Sequence, residues 1–243
     1  MRGIIIGAGR GRRLMPTTAD APKCFAEIGG QRIIDVILSA LRKGGVDPIG
    51  FIGGYRIDAV KAAHPELEFV ENPRWAETNI LGSLMCAEAW MHDGFVSSYA
   101  DIVYRADAIA KLLASPHPIT LVVDTAWRAR YQHRSQHPPT DGEKVQSADG
   151  RLTRIHRDID PDAAHGEFIG VAKFTAEGAA MLKRAHAAAG LSDNSYFIPL
   201  LQQMIESGVE IAHVDIDGGY HEIDTQEDYD LARAAHAAGE RWG

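Results

Sequence analysis

The sequence predicts an α/β protein: a Rossmann-like mixed, mainly parallel sheet flanked by helices, with a small antiparallel insertion. Three observations lead there. An apolar run, Gly3-Ile4-Ile5-Ile6, passes straight into the glycine-rich stretch Gly7-Ala8-Gly9-Arg10-Gly11-Arg12-Arg13. Short β-branched segments then alternate with segments of helical period. Further on, Asp149-Gly150 separates two strand-like segments, which is a hairpin signal.

Taken in order, the consecutive isoleucines Ile4, Ile5 and Ile6 read as a buried strand. Ile33, Ile34, Ile37 and Leu41 share one helix face, and Gly44-Gly45 ends that helix. A strand over 49–54, a helix over 57–63 and a strand over 68–71 follow, then a helix over 79–91. The next strand, 94–99, ends at Asp101; after a helix over 107–113, the strand 119–123 ends at Asp124. In such a βαβα order ligands sit beyond the carboxyl ends of the strands, where both aspartates fall. The hairpin of 144–148 and 151–157 and a strand over 167–174 make the insertion. Helices over 177–189 and 197–206 and strands over 210–215 and 220–223 precede a last helix to about residue 238, opened by the capping signal Thr225-Gln226-Glu227-Asp228.

With 243 residues and 45% hydrophobic content, the chain reads as one domain, with a nucleotide-binding half over roughly 1–125 and an acceptor-binding, closing half over 126–243. Met1-Arg2-Gly3 leads directly into a strand and no apolar run reaches the length of a membrane span, so neither signal peptide nor membrane is expected, and the cytoplasm is the expected location. Cys24 and Cys86 form no C-x-x-C pair and are expected to be small buried residues. The net charge is −8, yet residues 1–43 hold eight Lys/Arg against three acids. An acidic protein with one basic end argues against nucleic acid and for a small anionic ligand at the N-terminal loop.

That loop is read as a phosphate cradle. Its glycines let the backbone approach a ligand closely, and Arg13 and Lys23 add positive charge. It is not a dinucleotide fingerprint: Arg12 stands where glycine or alanine is needed, and the strand 49–54 supplies no ribose-binding acid. Nor is it a P-loop, since Lys23 does not follow a glycine and Cys24 replaces the hydroxyl residue. What remains, Gly9-x-Gly11-x-Arg13-Leu14-x-Pro16-x-Thr18 with Pro22-Lys23, resembles the nucleotidyltransferases that join a nucleoside triphosphate to a phosphorylated sugar or alcohol.

Such chemistry brings an anionic acceptor to an anionic α-phosphate and calls for a divalent metal, Mg²⁺, held by one or two carboxylates. Asp101 and Asp224 each stand just past a predicted strand, on the edge where the glycine loop lies. A lone aspartate at a strand end is usually a cap or loop residue; the pair on one edge points to a metal.

Further motifs narrow the resemblance. Asn72-Pro73-x-Trp75-x-x-Thr78-Asn79-x-x-x-Ser83-Leu84, Ser98-Tyr99-Ala100-Asp101-Ile102-Val103-Tyr104, Val122-Val123-Asp124, Phe168-Ile169-Gly170 and Glu222-Ile223-Asp224 are similar to the CTP-using branch, which includes phosphocholine, phosphonate and phosphoglutamine cytidylyltransferases. The resemblance implies that Ala8, Gly9 and Gly11 contact CTP and that Arg13 and Lys23 are the catalytic cations on its triphosphate. It further implies that Asn79 and Ser83 line the cytosine and ribose side, and that Asp101 and Asp224 bind Mg²⁺ with Glu222 joining them. Trp127, Arg128, Asp141 and Glu143 are candidates for the acceptor pocket. Against this, Trp127 reads equally well as core beside solvated arginines, and Asp141 and Glu143 as a solvated turn. His133 and His137, four apart, lack a third ligand and are followed by Pro138-Pro139, so a metal role is not expected of them.

The expected activity is transfer of CMP from CTP to a small phosphonate or phosphate monoester such as 2-aminoethylphosphonate, phosphocholine or phosphoglutamine. The competing readings are a sugar-1-phosphate nucleotidyltransferase using another triphosphate and a nucleotide-binding regulator without turnover. Only 7% of the residues are aromatic, which favours a small polar phosphonate or phosphorylated amine over the quaternary ammonium of phosphocholine.

Overall fold

The computed structural model describes residues 1–192 and 194–243. Its strands are β1 (Arg2–Gly7), β2 (Glu27–Ile28), β3 (Gln31–Arg32), β4 (Ile49–Gly53), β5 (Glu68–Glu71), β6 (Phe95–Tyr99), β7 (Ile102–Tyr104), β8 (Ile119–Asp124), β9 (Lys144–Ala148), β10 (Arg151–Ile155), β11 (Gly166–Phe174), β12 (Ala212–Ile216) and β13 (Tyr220–Glu222). Its α-helices are α1 (Ile33–Lys43), α2 (Ile57–Ala63), α3 (Ile80–Met85), α4 (Ala106–Ala114), α5 (Trp127–Tyr131), α6 (Ala176–Ala189), α7 (Phe197–Glu206) and α8 (Gln226–Ala237).

Nine strands form one mixed sheet in the order β5-β4-β1-β6-β11-β8-β12-β10-β9. Each neighbouring pair from β5 to β6 is parallel, as is β8 with β12, while β11 runs antiparallel between β6 and β8. The hairpin β9–β10 joins β12 through β10 and returns to β11 through β9, so the last five strands of the order close on themselves. Asp149 and Gly150, at φ 51° and 74°, turn this hairpin with both central residues in the left-handed region, as a two-residue turn of this kind requires.

Both faces of the sheet are covered, and β1 explains why its apolar run is unbroken. Ile5 packs into the core formed with α1 and α4, beside Ile34, Leu41 and Ile109; Ile4 and Ile6 face the other core, with Leu84, Leu182 and Leu201 from α3, α6 and α7. Alternate side chains point to opposite faces, so a strand sandwiched between helices must be apolar at every position. Complete burial of each such isoleucine stabilises the fold by about 1.5–3 kcal/mol.

The α/β architecture agrees with the sequence reading, and three local expectations are corrected. The helix expected over 79–91 stops at Met85 and gives way to a tight turn over Glu88–Trp90. That turn seats the Trp90 ring over Gly50, where a side chain would collide with it, and against Arg2, whose guanidinium lies 5.1 Å from the ring centre. Cys86, at the end of α3, is exposed rather than buried; Cys24 is buried as expected. The short strands β2, β3 and β7 have no counterpart in the sequence reading, being too short for a periodic signal, whereas β13 is the strand expected over 220–223 and pairs with β7 in a separate ribbon.

The closing helix α8 is anchored from within. Thr225 accepts from the backbone of Asp228, and the Asp228 carboxylate returns the bond to the Thr225 backbone, completing a capping box. Asp228 also receives the Arg134 guanidinium at 2.6 Å, with both side chains 1% exposed, and so ties the segment after α5 to α8. Removing one member of a buried pair leaves the other charge uncompensated. Arg134→Leu is therefore expected to lower stability by about 3 kcal/mol or more in urea unfolding; a loss under about 1 kcal/mol would mean that the backbone donors at Asp224 and Thr225 satisfy Asp228 alone.

Candidate active site

A cleft of about 650 Å³ opens where the carboxyl ends of β1 and β6 meet β13 and the start of β11. Its floor is the loop after β1. Ala8 is buried, its carbonyl accepting from the Tyr55 backbone, whereas no atom lies within 4 Å of where a Gly9 side chain would begin. Gly11 takes a left-handed conformation, φ 66°, and the stem of Lys23 lies across it so closely that any side chain there would collide. Glycine at position 11 is what lets Lys23 cross the loop.

Lys23 carries its ammonium to two carboxylates, 2.7 Å from Asp101 Oδ2 and 2.6 Å from Asp224 Oδ1. Arg13 joins from the exposed side, pairing with the second oxygen of Asp224. The ribbon β7–β13 brings the two aspartates together: Glu222 pairs with Ile102, and the Ile223 N–H donates to the Asp101 carbonyl at 2.8 Å. Thus Asp101, just past β6, and Asp224, just past β13, meet although 123 positions apart.

The electrostatics follow from this crowding. Burial alone would lower the Lys23 pKa, but Asp101 and Asp224 outweigh it and keep the ammonium charged. Burial would raise Asp224, but Lys23 and then Arg13 hold its carboxyl below the usual range. Glu222 goes the other way, pushed up by burial and by the negative charge of Asp224 and Asp101. The three carboxylates thus lie near enough to act on one another's charge.

The sequence-predicted nucleotide-side residues Ala8, Gly9, Gly11, Arg13, Lys23, Asn79 and Ser83 all line this cleft, together with Asp101, Glu222 and Asp224. Asn79 caps α3 by accepting from the Ile80 N–H at 2.9 Å. Buried Asn72 donates to Ser83 Oγ at 3.0 Å and Thr78 Oγ1 at 2.8 Å, which fixes the wall these residues form.

The acceptor candidates divide. Asp141 and Glu143 line the opposite end of the cleft, while Trp127 and Arg128 do not reach it. Trp127 is 1% exposed, edge-on to Tyr131 with ring centres 5.5 Å apart, because the apolar face of α5 turns into the core. Arg128, on the outer face, pairs at 2.9 Å with Asp162. Arg157 and Tyr196, which the sequence reading did not single out, take their place: Arg157 donates to Glu143 at 3.2 Å and stacks over the Tyr196 ring at 4.9 Å. Burial pushes Glu143 up to about 7, against the pull of Arg157.

His137, weighed in the sequence only as a metal ligand, has another place. It is not on a helix, since α5 ends at Tyr131; it lies 2.9 Å from Arg13 and 2.8 Å from Arg134, linking the cleft to the anchor of α8. Burial, together with those two arginines, lowers its pKa against the attraction of Asp228 and Asp224. The pairing of Arg134 with Asp228 therefore extends through His137 to Arg13.

Comparison with known proteins places these residues in a family. Residues 3–172 match the model of the MobA-like NTP transferase domain. The chain is 30% identical over 252 residues to the CTP:phosphoglutamine cytidylyltransferase of Campylobacter jejuni, covering 95% of this chain and 98% of that protein. It is 28% identical over 109 residues to the 2-aminoethylphosphonate cytidylyltransferase of Lancefieldella rimae, covering 44% of this chain and 42% of that one. Among solved structures, the inositol-1-phosphate CTP transferase of T. maritima has the same fold, with a TM-score of 0.76 at 23% identity over 96% of both chains. The chain is a nucleotidyltransferase and belongs to the MobA-like NTP transferase domain family.

Proposed function

We propose that this protein is a Mg²⁺-dependent cytidylyltransferase that transfers CMP from CTP to a small phosphonate or phosphate monoester and releases pyrophosphate. The observation that carries the reading is the Lys23 ammonium seated between Asp101 and Asp224 beside the glycine loop, with Arg13 on the same carboxylate. The reaction needs both signs of charge at one place: cations for phosphate oxygens, and carboxylates for a metal.

The donor set suits Mg²⁺. Asp101 and Asp224, with Glu222 beside them, offer only oxygen, and Glu222 is pushed up first by burial and then by the negative charge of Asp224 and Asp101, which a divalent cation would offset. When bound, that ion neutralises charge developing on the phosphates. The chain's own groups do the rest. The N–H groups around Gly9 and Gly11 are open to phosphate oxygens. Lys23 and Arg13 supply fixed positive charge where the pyrophosphate leaves.

The acceptor's phosphoryl oxygen is already ionised, so it can form its bond to the α-phosphorus without a general base. The bond from that phosphorus to the bridging oxygen breaks, and its electron pair departs with pyrophosphate. The protein's task is to align the two anions and hold their charge.

Asp141 and Glu143 at the far end suit an ammonium group on the acceptor, and Arg157 beside them suits a carboxylate. This favours an amine- or amino acid-bearing acceptor over one with a quaternary ammonium. The named substrates of the two relatives, phosphoglutamine and 2-aminoethylphosphonate, are of this kind.

Pyrophosphate release with each of the four common triphosphates, against phosphoglutamine, 2-aminoethylphosphonate, phosphocholine and a sugar 1-phosphate, tests the proposal. CTP is expected to be preferred by about tenfold or more, since polar groups that match one base edge are left unpaired by another. A preference for UTP or GTP overturns the cytidylyl assignment, and a preference for phosphocholine overturns the acceptor assignment. Asp101→Asn and Asp224→Asn are each expected to keep the fold and lower turnover by about two to four orders of magnitude; near wild-type activity at limiting Mg²⁺ removes that residue from the ligand set.

Glu143 gives a pH signature. Its carboxyl lies at about 7 when folded against an ordinary value of 4.5, so ionising it in the fold is unfavourable and its burial destabilises the protein as pH rises from 4.5 through 7. Glu143→Gln is expected to flatten this part of the stability curve, gaining about 1–3 kcal/mol over wild type above neutrality and little below pH 4.5. Parallel stability curves for the two proteins across that window would place the Glu143 carboxylate in the ordinary range.

A further inference from the structure

Away from the cleft, β12 carries His213 and Asp215 two positions apart, and so on one face of the strand. His165, immediately before β11, reaches the same point. His165 Nε2 lies 3.0 Å from Asp215 Oδ2, His213 Nδ1 lies 2.8 Å from Asp215 Oδ1, and one ligand atom from each of the three residues falls within 4.8 Å of the other two. The two imidazole rings meet edge to face, 4.8 Å between centres, with both nitrogens turned toward one carboxylate. None of the three lines the active-site cleft.

The geometry points to a second metal site here, for a divalent transition-metal ion of the zinc class held by His165, His213 and Asp215. Two imidazole nitrogens and one carboxylate form a zinc-type donor set, and donor atoms about 3 Å apart are what a small ion with bonds near 2.0–2.2 Å requires. Mg²⁺, by contrast, favours oxygen ligands and water, so this site and the carboxylate site of the cleft select different metals.

The surroundings are consistent with a bound cation. The His213 side chain is only 7% exposed, while those of His165 and Asp215 are 34% and 41% exposed, so one ligand is held rigidly and the site opens to solvent for a fourth. A shallow surface hollow, lined also by His117 and Asp149, adjoins His213 and Asp215. Lys111 approaches Asp215 only at its backbone carbonyl, 3.0 Å away, leaving the carboxylate to the two imidazoles. The simpler alternative is a carboxylate accepting a hydrogen bond from each histidine, and it predicts no metal affinity.

A metal here has a structural consequence. In the sheet β8 lies between β11 and β12, so an ion bridging His165 to His213 and Asp215 would clamp the return of the β9–β10 insertion onto β12. Glu143 and Arg157, at the acceptor end of the cleft, flank that same hairpin. The site would stiffen the acceptor side without touching the nucleotide side.

Co²⁺ titration of the whole, metal-stripped protein, in excess Mg²⁺ to occupy the oxygen-only cleft, tests the inference. One equivalent of Co²⁺ is expected to bind with the visible absorption of a tetrahedral nitrogen-ligated ion, and Zn²⁺ to displace it and raise the melting temperature. His165→Ala, at an exposed position that leaves the fold intact, is expected to weaken binding by about a hundredfold or more; Asp215→Asn, which keeps the shape and removes the charge, is expected to do the same. Wild-type protein that takes up no Co²⁺ under these conditions, or variants that bind it as wild type does, would overturn the proposal and leave a hydrogen-bonded cluster around Asp215.

Discussion

The Lys23 ammonium between Asp101 and Asp224 is the contact on which the architecture of the cleft depends. Three remote parts of the chain meet there: the loop after β1, the end of β6 and the end of β13. Two like charges about 4 Å apart repel by roughly 4 kcal/mol at an effective dielectric constant of about 20, so carboxylates brought together in a partly buried place need a cation between them. Lys23 supplies it, and Gly11 leaves room for its stem. Asp224 and Glu222 are displaced in opposite directions: Lys23 holds the carboxylate it touches ionised, while burial and then the negative charge of Asp224 and Asp101 push Glu222 up.

Around this contact the protein separates two recognition tasks. The wall built by Asn72, Thr78, Asn79 and Ser83 is fixed by internal hydrogen bonds and rests against the parallel part of the sheet. The opposite wall, with Glu143, Arg157 and Tyr196, comes from the antiparallel insertion and the entry to α7. Their charges differ in kind as well. The glycine loop and Lys23 offer backbone donors and a fixed cation, whereas Glu143 pairs with an arginine and is held near neutrality by burial.

Much of this was legible in the sequence, and what escaped has a common physical cause. The glycine loop and the two aspartates could be read because each lies next to a predicted strand, and Arg13 and Lys23 because they belong to the motif that continues the loop. The type of the hairpin turn at Asp149-Gly150 and the capping box at Thr225 were equally local. Trp127 and Arg128 were candidates for the acceptor pocket because they follow the strand that ends at Asp124, but in α5 the face they occupy depends on which side meets the core, and the chain offers too few residues there to tell. Arg157 and Tyr196 left no signal, and His137 showed only the spacing of a metal ligand. Their positions are set by how the insertion folds back on β11 and by the anchor of Arg134 on Asp228, contacts between residues far apart in sequence. The helix-like spacing of His133 and His137 is a local pattern, whereas His165 and His213 meet across the sheet at a separation no local pattern encodes.

The way the sheet closes bears on how the protein behaves at high concentration. Because β9 pairs with β10 and, through Lys144 and Val145, also with β11, the strand that ends the order on that side is partly covered, while at the other end the nine-stranded sheet is open at β5. An open edge is a template for pairing with another chain. Here it is only four residues long, Glu68–Glu71, and a glutamate stands at each end. One of them, Glu68, is held by Arg2 from β1. A second copy docking there would set carboxylate against carboxylate along a ladder too short to compensate, so the chain guards itself against edge-to-edge aggregation with two charges and a ring closure, leaving its long apolar strands inside.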